Sequence, residues 1–370
     1  MTDNPLLKLR QLGQQVWLDD IRRELFRTGE LARLIHDDGL AGLTSNPAIF
    51  AKAIEETDDY QSDILSAHAS ASAETVYEGL AIADVRAAAD AFAATYRETD
   101  GVGGYVSLEV SPHLARDTQG TIAAAKRLWD AVARRNLMIK IPATAEGLPA
   151  IQRSIAAGIN INITLIFSVA RYEQVFDAFA AGMAERVQSG QPVERIASVA
   201  SFFISRIDTL VDGMLVEKIK KGDAAVERLS GTAGIASAGA AMRVYRDCIA
   251  KPAWQELARA GARPQQLLWA STSTKNPAYS DIKYIEGLIA PDTINTIPPQ
   301  TLAAYRDHGD PKVRIDDAVR DAPRVMAALA DRGIHMNEVA DELEAEALKK
   351  FSEPFDKLLA VIDKARKART

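Results

Sequence analysis

The stretch "NLMIKIPATAEG", Asn136–Gly147, sets Lys140 among Met138, Ile139 and Ile141. Its core, Leu137–Ile141, is a short apolar run of the kind that forms a buried strand. An ammonium is out of place there, because burial favours the neutral form of a lysine. The residues alone leave two readings open. A snorkelling lysine packs its stem and lifts its charged head to water. A fully desolvated one has its pKa lowered by roughly 3–5 units, and the neutral amine attacks a carbonyl to form a Schiff base. Strand side chains alternate, so Ile139 and Ile141 point to one side and Lys140 to the other.

Seven further strand-like runs surround this one. They are Gln15–Asp20, Ala41–Ser45, Gly104–Val110, Gly158–Leu165, Ala197–Ile204, Gln266–Ser271 and Asp292–Ile297. Helical patterns separate them, among them "DTQGTIAAAKRLWDAVARR", where Ile122, Ala125, Leu128, Trp129 and Val132 share a face. Another is "SVARYEQVFDAFAAGMAERV", with Ser168 as its N-cap. Such alternation predicts an α/β fold with a parallel sheet wrapped by helices. Eight strands suit a closed (β/α)8 barrel of the TIM type, although an open doubly wound sheet gives much the same pattern. Residues 46–103 and 209–265 exceed a simple crossover and predict additional helices. Residues 336–370 predict a C-terminal helical extension of one or two amphipathic helices. No fixed repeat or linker interrupts the chain, so 1–370 is expected to be one domain.

The composition narrows the function. The chain has 370 residues, 47% hydrophobic and 25% charged, with a formal net charge of −6. That balance argues against a general nucleic-acid binder, while leaving local cationic sites for phosphate. One cysteine, Cys248, is consistent with a reducing compartment. No signal-peptide pattern or membrane-length apolar run occurs, so a cytoplasmic location with no membrane partner is expected. The five histidines lack metal-ligand spacing and no CxxC or HExxH occurs, so no metal is expected. The glycine clusters "GVGGY" (Gly101–Tyr105) and "GTAGIASAG" (Gly231–Gly239) lack nucleotide-binding order and read as turns. Trp17, Trp129, Trp254 and Trp269 read as packing residues.

Polar residues recur near the ends of the apolar runs: Asp19, Thr44, Asn46, Glu109, Lys140, Asn162, Thr164 and Ser201. In a barrel these strand ends converge on one pocket; on a wet sheet face they are ordinary surface polarity. Asp19 and Glu109 are acids and bases suited to a Schiff-base reaction, and equally to solvated or capping roles. Arg206 in "SFFISRID" and Lys275 in "STSTKNP" follow strands and could hold a phosphate. The alternatives are an ion pair of Arg206 with Asp208 and a solvated loop cation at Lys275.

The motifs resemble those of the transaldolase family. "GLTSNPAIF" (Gly42–Phe50) is similar to its first signature and "LMIKIPATAEGL" (Leu137–Leu148) to its second, built around the reactive lysine. The resemblance continues through "VSLEVSP", "NITLIFS" and "SFFISRID" to "LLWASTSTKNPAYSDIKYIEGLIAPDTINTIPPQTL", over roughly residues 15–305, and suggests the longer bacterial branch. It implies a (β/α)8 barrel, no cofactor, and transfer of a three-carbon dihydroxyacetone unit between sugar phosphates in the pentose phosphate pathway. By position it implies Lys140 as the Schiff-base lysine and Asp19 as the proton carrier, with Asp20 the substitute. It further implies that Glu109 acts through a water held by Thr164, that Asn46, Asn162, Thr44 and Ser201 contact substrate, that Phe203 lines its site, and that Arg206, Ser273 and Lys275 bind phosphate. The chain departs from the family pattern at "STKN", with Lys275 for an arginine, which loses the planar bidentate fork. It also has "SFF" for S-P-F. Related free aldolases carry tyrosine and glutamine where this chain has Phe203 and Glu109, which favours transfer over cleavage. A non-catalytic sugar-phosphate-binding barrel is the reading from a different class. The resemblance leaves oligomeric state open.

Overall fold

Each of the eight apolar runs forms a strand. In a computed structural model, which describes residues 4–68 and 70–367, they are β1 (Gln14–Asp19), β2 (Gly42–Thr44), β3 (Tyr105–Glu109), β4 (Leu137–Pro142), β5 (Ile161–Ile166), β6 (Ser198–Phe203), β7 (Gln266–Ala270) and β8 (Thr293–Ile297). Consecutive strands pair in parallel and β8 returns to β1, closing the barrel. The open doubly wound sheet is thereby excluded. All six residues of β4, and all six of β5, are buried, as strands covered on both faces require.

Register decides what the strands present inward. Glu109 lies opposite Lys140, and Lys140 opposite Asn162. Residues level on neighbouring strands share a face, so these three point into the barrel while Ile139 and Ile141 pack beneath the helices. Register shifts between β5 and β6 at Ile163–Ile166, where Leu165 adopts a left-handed backbone with φ 62°. This irregularity directly follows Thr164, and bulges of this kind re-aim side chains at barrel rims.

The helices follow their local signals. Ser168 caps Val169–Gln188 by accepting from the Arg171 N–H at 3.1 Å, and Asp117 caps Thr118–Val132 through the Gly120 N–H at 2.9 Å. Residues 46–103 hold helices Pro47–Glu56, Gln61–Ser66, Ala73–Ala91 and Ala93–Glu98. Residues 209–265 hold the rest of helix Ser205–Lys220, a 3-10 turn and helices Ala233–Ala250 and Pro252–Arg259. "GVGGY" is a turn, but "GTAGIASAG" corrects the expectation: only its start turns, and helix begins at Ala233. Its small residues serve helix packing. A Cβ on Gly239 would stand 2.3 Å from the Ala318 carbonyl oxygen of helix Ile315–Ala330. Trp17, Trp254 and Trp269 are buried, and Trp129 partly so.

The C-terminal extension is one helix, Met336–Lys367, and residues 368–370 lie outside the described residues. Leu343, Ala347, Phe351, Phe355, Leu358 and Ile362 form its buried stripe. It packs on helices Pro47–Glu56, Ala73–Ala91 and Ser205–Lys220, across the C-terminal ends of the strands. Among the described residues no helix is long and apolar enough to cross a membrane.

Candidate active site

The two signature stretches have local structural work to do. In "TSNP", the Asn46 side chain accepts from the Ile49 N–H at 3.1 Å and Pro47 opens the helix, a capped start directly after β2. Capping occupies the Asn46 carbonyl oxygen and leaves its amide N–H groups for other partners. In "IPATAEG", the Thr144 hydroxyl accepts from Gly147 N–H at 3.0 Å, turning the chain from β4 into helix Gly147–Ala156. A Cβ at Gly147 would fall 2.1 Å from the Pro142 carbonyl oxygen. These turns hold Asn46 and Lys140 at the C-terminal end of the barrel.

Ten of the twelve expected site residues line one cavity of about 230 Å³: Lys140, Asp19, Thr44, Asn46, Thr164, Ser201, Phe203, Arg206, Ser273 and Lys275. Glu109 and Asn162 stand behind its wall. Lys140 is only 5% exposed; it donates to the Ser45 carbonyl at 3.1 Å and lies 3.2 Å from Glu109 Oε2. The latter is an ion pair whose angles fall outside a hydrogen bond, and among the described residues Glu109 Oε2 has no hydrogen-bond partner. The snorkelling reading is therefore set aside, since the amine points into the barrel. Burial pushes the Glu109 carboxyl up, the Lys140 ammonium pulls it back, and the net shift is upward. The buried Thr164 hydroxyl likewise has no hydrogen-bond partner among the described residues.

Asp19 and Asp20 separate cleanly. Asp19 borders the cavity and accepts from the Thr44 hydroxyl at 2.8 Å; Thr44 in turn meets the Thr296 hydroxyl at 2.6 Å. Since Thr44 has one proton and gives it to Asp19, Thr296 donates to Thr44. Asp20 faces Arg22 at 3.3 Å, outside the cavity. Deeper down, Ser201 donates to the Asn162 carbonyl at 2.7 Å and Asn162 donates to the Ser107 hydroxyl at 3.0 Å. This buried chain sets the orientation of the Asn162 amide.

At the mouth, Arg206 and Lys275 stand together. Neither makes an ion pair among the described residues, and the nearby Arg206 charge adds to burial in lowering the Lys275 pKa. The expected alternative for Arg206 fails: Asp208 accepts from Tyr284 at 2.8 Å and the Gly234 N–H at 2.6 Å, and pairs with Lys283 at 3.2 Å. Lys275 donates to Ser273 at 2.7 Å. Two cations that make no ion pair among the described residues, with hydroxyls beside them, have the chemistry to hold an anion.

The model of the Transaldolase/Fructose-6-phosphate aldolase family matches residues 16–362. This chain belongs to that family. Among similar proteins is the "Transaldolase" of Trichodesmium erythraeum, 44% identical over 378 residues covering all of both chains. The "Transaldolase" of Acidothermus cellulolyticus is 47% identical over 370 residues, covering 99% of this chain and 97% of that one. That of Thermobifida fusca is 46% identical, covering 96% of each.

In this transaldolase-family barrel the cavity also holds residues that sequence reasoning missed: Ser271, Thr272, Thr296, Pro298, Gln300 and Phe351. Thr296 and its neighbour Asn295 repeat the polar-in-apolar pattern of the other strands, a signal that was there to use. Phe351 carried none, for it reaches the cavity from the C-terminal helix. Its ring centroid lies 6.0 Å from Lys140 Nζ and 5.9 Å from Arg206 Cζ.

Proposed function

We propose that this protein is a transaldolase acting through a Schiff base on Lys140, carried by a single barrel domain. The observation that carries the reading is the buried Lys140 amine, 3.2 Å from Glu109, in a cavity whose far end holds Arg206 and Lys275. An amine and two cations lining one cavity suit an open-chain ketose with its carbonyl at the amine and its phosphate at the cations. Substrates on this reading are sedoheptulose 7-phosphate and fructose 6-phosphate as donors, with glyceraldehyde 3-phosphate and erythrose 4-phosphate as acceptors. A place in the non-oxidative pentose phosphate pathway in the cytoplasm, without a cofactor, belongs to the same proposal.

The steps follow from the groups available. Lys140 passes a proton to Glu109 and attacks the C2 carbonyl as the free amine, and Glu109 moves protons through a water on Thr164 as the carbinolamine loses water. The resulting iminium is an electron sink. Asp19 takes the C4 hydroxyl proton, the C3–C4 bond breaks, and its electron pair flows into the iminium to give an enamine. The shortened aldose phosphate leaves. A second aldose is attacked by enamine C3, Asp19 returns its proton to the new alkoxide, and hydrolysis frees the longer ketose. Asn46 and Ser201 hydrogen-bond substrate hydroxyls; Asn162 acts from behind Ser201.

Borohydride treatment in the presence of fructose 6-phosphate, followed by peptide mass spectrometry, tests this. The expected result is a reduced adduct on Lys140, and no adduct there would sink the mechanism. The family description also covers a free aldolase. Phe203 supports transfer, because an apolar ring offers no hydroxyl to a water attacking the imine. Rapid release of glyceraldehyde 3-phosphate without an acceptor would favour the aldolase instead.

A further inference from the structure

We propose that Phe351 is a specificity-determining residue with two tasks: it roofs the Lys140 amine against water, and it steadies Arg206 for the phosphate. The proposal rests on the transfer chemistry above.

The side chains and carbonyl that meet the Lys140 amine from inside the barrel, Glu109 and Ser45, are polar. Phe351 supplies apolar cover from above, with its centroid 6.0 Å from Nζ. It is only 9% exposed although it sits at the mouth, so the ring is spent on the cavity and not on solvent. Its position is imposed by the helix that carries it. One turn on, Phe355 packs edge-on to Tyr77 at 5.3 Å and lies 5.7 Å from the His113 ring. One turn back, Ala347 is fully buried. Residues four apart share a helix face, so anchoring Ala347 and Phe355 aims Phe351 downward.

The same ring meets the second cation. Arg206 Cζ lies 5.9 Å from the Phe351 centroid and 5.3 Å from that of Phe203, which is itself backed by Phe167 at 5.2 Å. Two aromatic rings within reach of a guanidinium that has no ion pair among the described residues hold it by cation–π attraction while leaving its N–H groups for an anion. The Phe351 ring thus stands about equally far from the amine and from the guanidinium, 6.0 Å and 5.9 Å from its centroid.

The chemical consequence concerns a side reaction. After the C3–C4 bond breaks, the enamine is either passed to an aldose or protonated at C3 by water. In the second case a further water adds to the imine carbon, dihydroxyacetone leaves and the Lys140 amine is restored. Excluding water suppresses that branch. Phe351→Ala is expected to raise acceptor-free release of glyceraldehyde 3-phosphate relative to exchange by about tenfold. It is also expected to raise KM for fructose 6-phosphate by about threefold, the weight of one partly exposed cation–π contact. Phe351→Leu keeps an apolar cover but lacks the ring, so its release ratio stays near wild type while its KM rises as in the alanine variant.

The experiment measures both quantities in the full-length enzyme and the two variants, with circular dichroism to check folding. Unchanged release in Phe351→Ala, or an equal rise in Phe351→Leu, overturns the roof; an unchanged KM in Phe351→Leu overturns the contact with Arg206. If the alanine chain does not fold, Phe351→Leu still decides: wild-type values in both measurements overturn the proposal. The wild type must itself form the Lys140 adduct. A wild type without the adduct overturns the transfer chemistry and this inference together, whereas one with the adduct isolates Phe351.

Discussion

The Lys140 amine lies 3.2 Å from Glu109 Oε2, with both side chains all but removed from solvent. Each therefore controls the other, because a buried charge that loses its partner must be neutralised or destabilise the fold. Lys140→Ala is expected to abolish exchange and adduct formation. Its stability should depend on pH in a defined direction. The Glu109 pKa is raised by burial, so its contribution is fully present below the unfolded carboxylate value and lost as pH rises through the folded one. Removing the ammonium removes the opposing influence. The melting temperature of Lys140→Ala should fall further behind wild type from acid to neutral pH, and adding Glu109→Gln should flatten that trend. Thermal melts across pH check both.

Glu109→Gln by itself keeps the shape and loses the titrating proton. Removing one positioned acid–base group slows turnover by about 10²–10⁴-fold. In wild type the acid limb of the rate profile should sit above the ordinary carboxylate range, since burial is the largest influence on Glu109. A Glu109→Gln profile that retains this limb would assign it to another group.

The hydroxyl chain from Thr296 through Thr44 to Asp19 gives a graded series. Thr44→Val removes the donor to Asp19 and should lower kcat by about tenfold, the weight of one hydrogen bond to a charged group. Thr296→Val should cost less, because Thr44 keeps its proton for Asp19. Thr296→Ser should restore wild-type kcat. A loss in Thr296→Ser with none in Thr296→Val would show that the methyl group, and not the hydroxyl, matters there.

Phosphate recognition is expected to reside in Arg206 and Lys275. Lys275→Ala should raise KM for phosphorylated donors by about tenfold and leave the site of the borohydride adduct unchanged. Lys275→Arg should retain or tighten binding, because a guanidinium adds the bidentate fork. Steady-state kinetics with fructose 6-phosphate decide this.

Gly239 offers a control remote from the chemistry. A methyl group there meets the Ala318 backbone at 2.3 Å, so Gly239→Ala should force the two helices apart and destabilise by about 1–3 kcal/mol. Denaturant titration measures the loss, and KM should not move.

Much of the fold was legible because its signals are local. Eight apolar runs, caps such as Ser168 and Asp117, and the alternation of strand and helix are read within a few residues. "GTAGIASAG" misled for the opposite reason. Glycines serve turns and close helix crossings equally, and only the partner helix at Ala318 distinguishes them.

The sequence by itself determined which residues could be reactive: Lys140 in an apolar strand, Asp19 and Glu109 at the ends of others, Arg206 and Lys275 just beyond two more. Alternation along a strand also determined that Lys140 opposes Ile139 and Ile141. Only the tertiary structure decided what these groups face. Barrel closure sets Glu109 level with Lys140, separates Asp19 from Asp20, and lays Phe351 over the mouth from a helix more than two hundred residues away in sequence. The physical reason is that strand periodicity is a property of neighbours along the chain, whereas register between strands and the docking of the last helix depend on shared burial between distant segments.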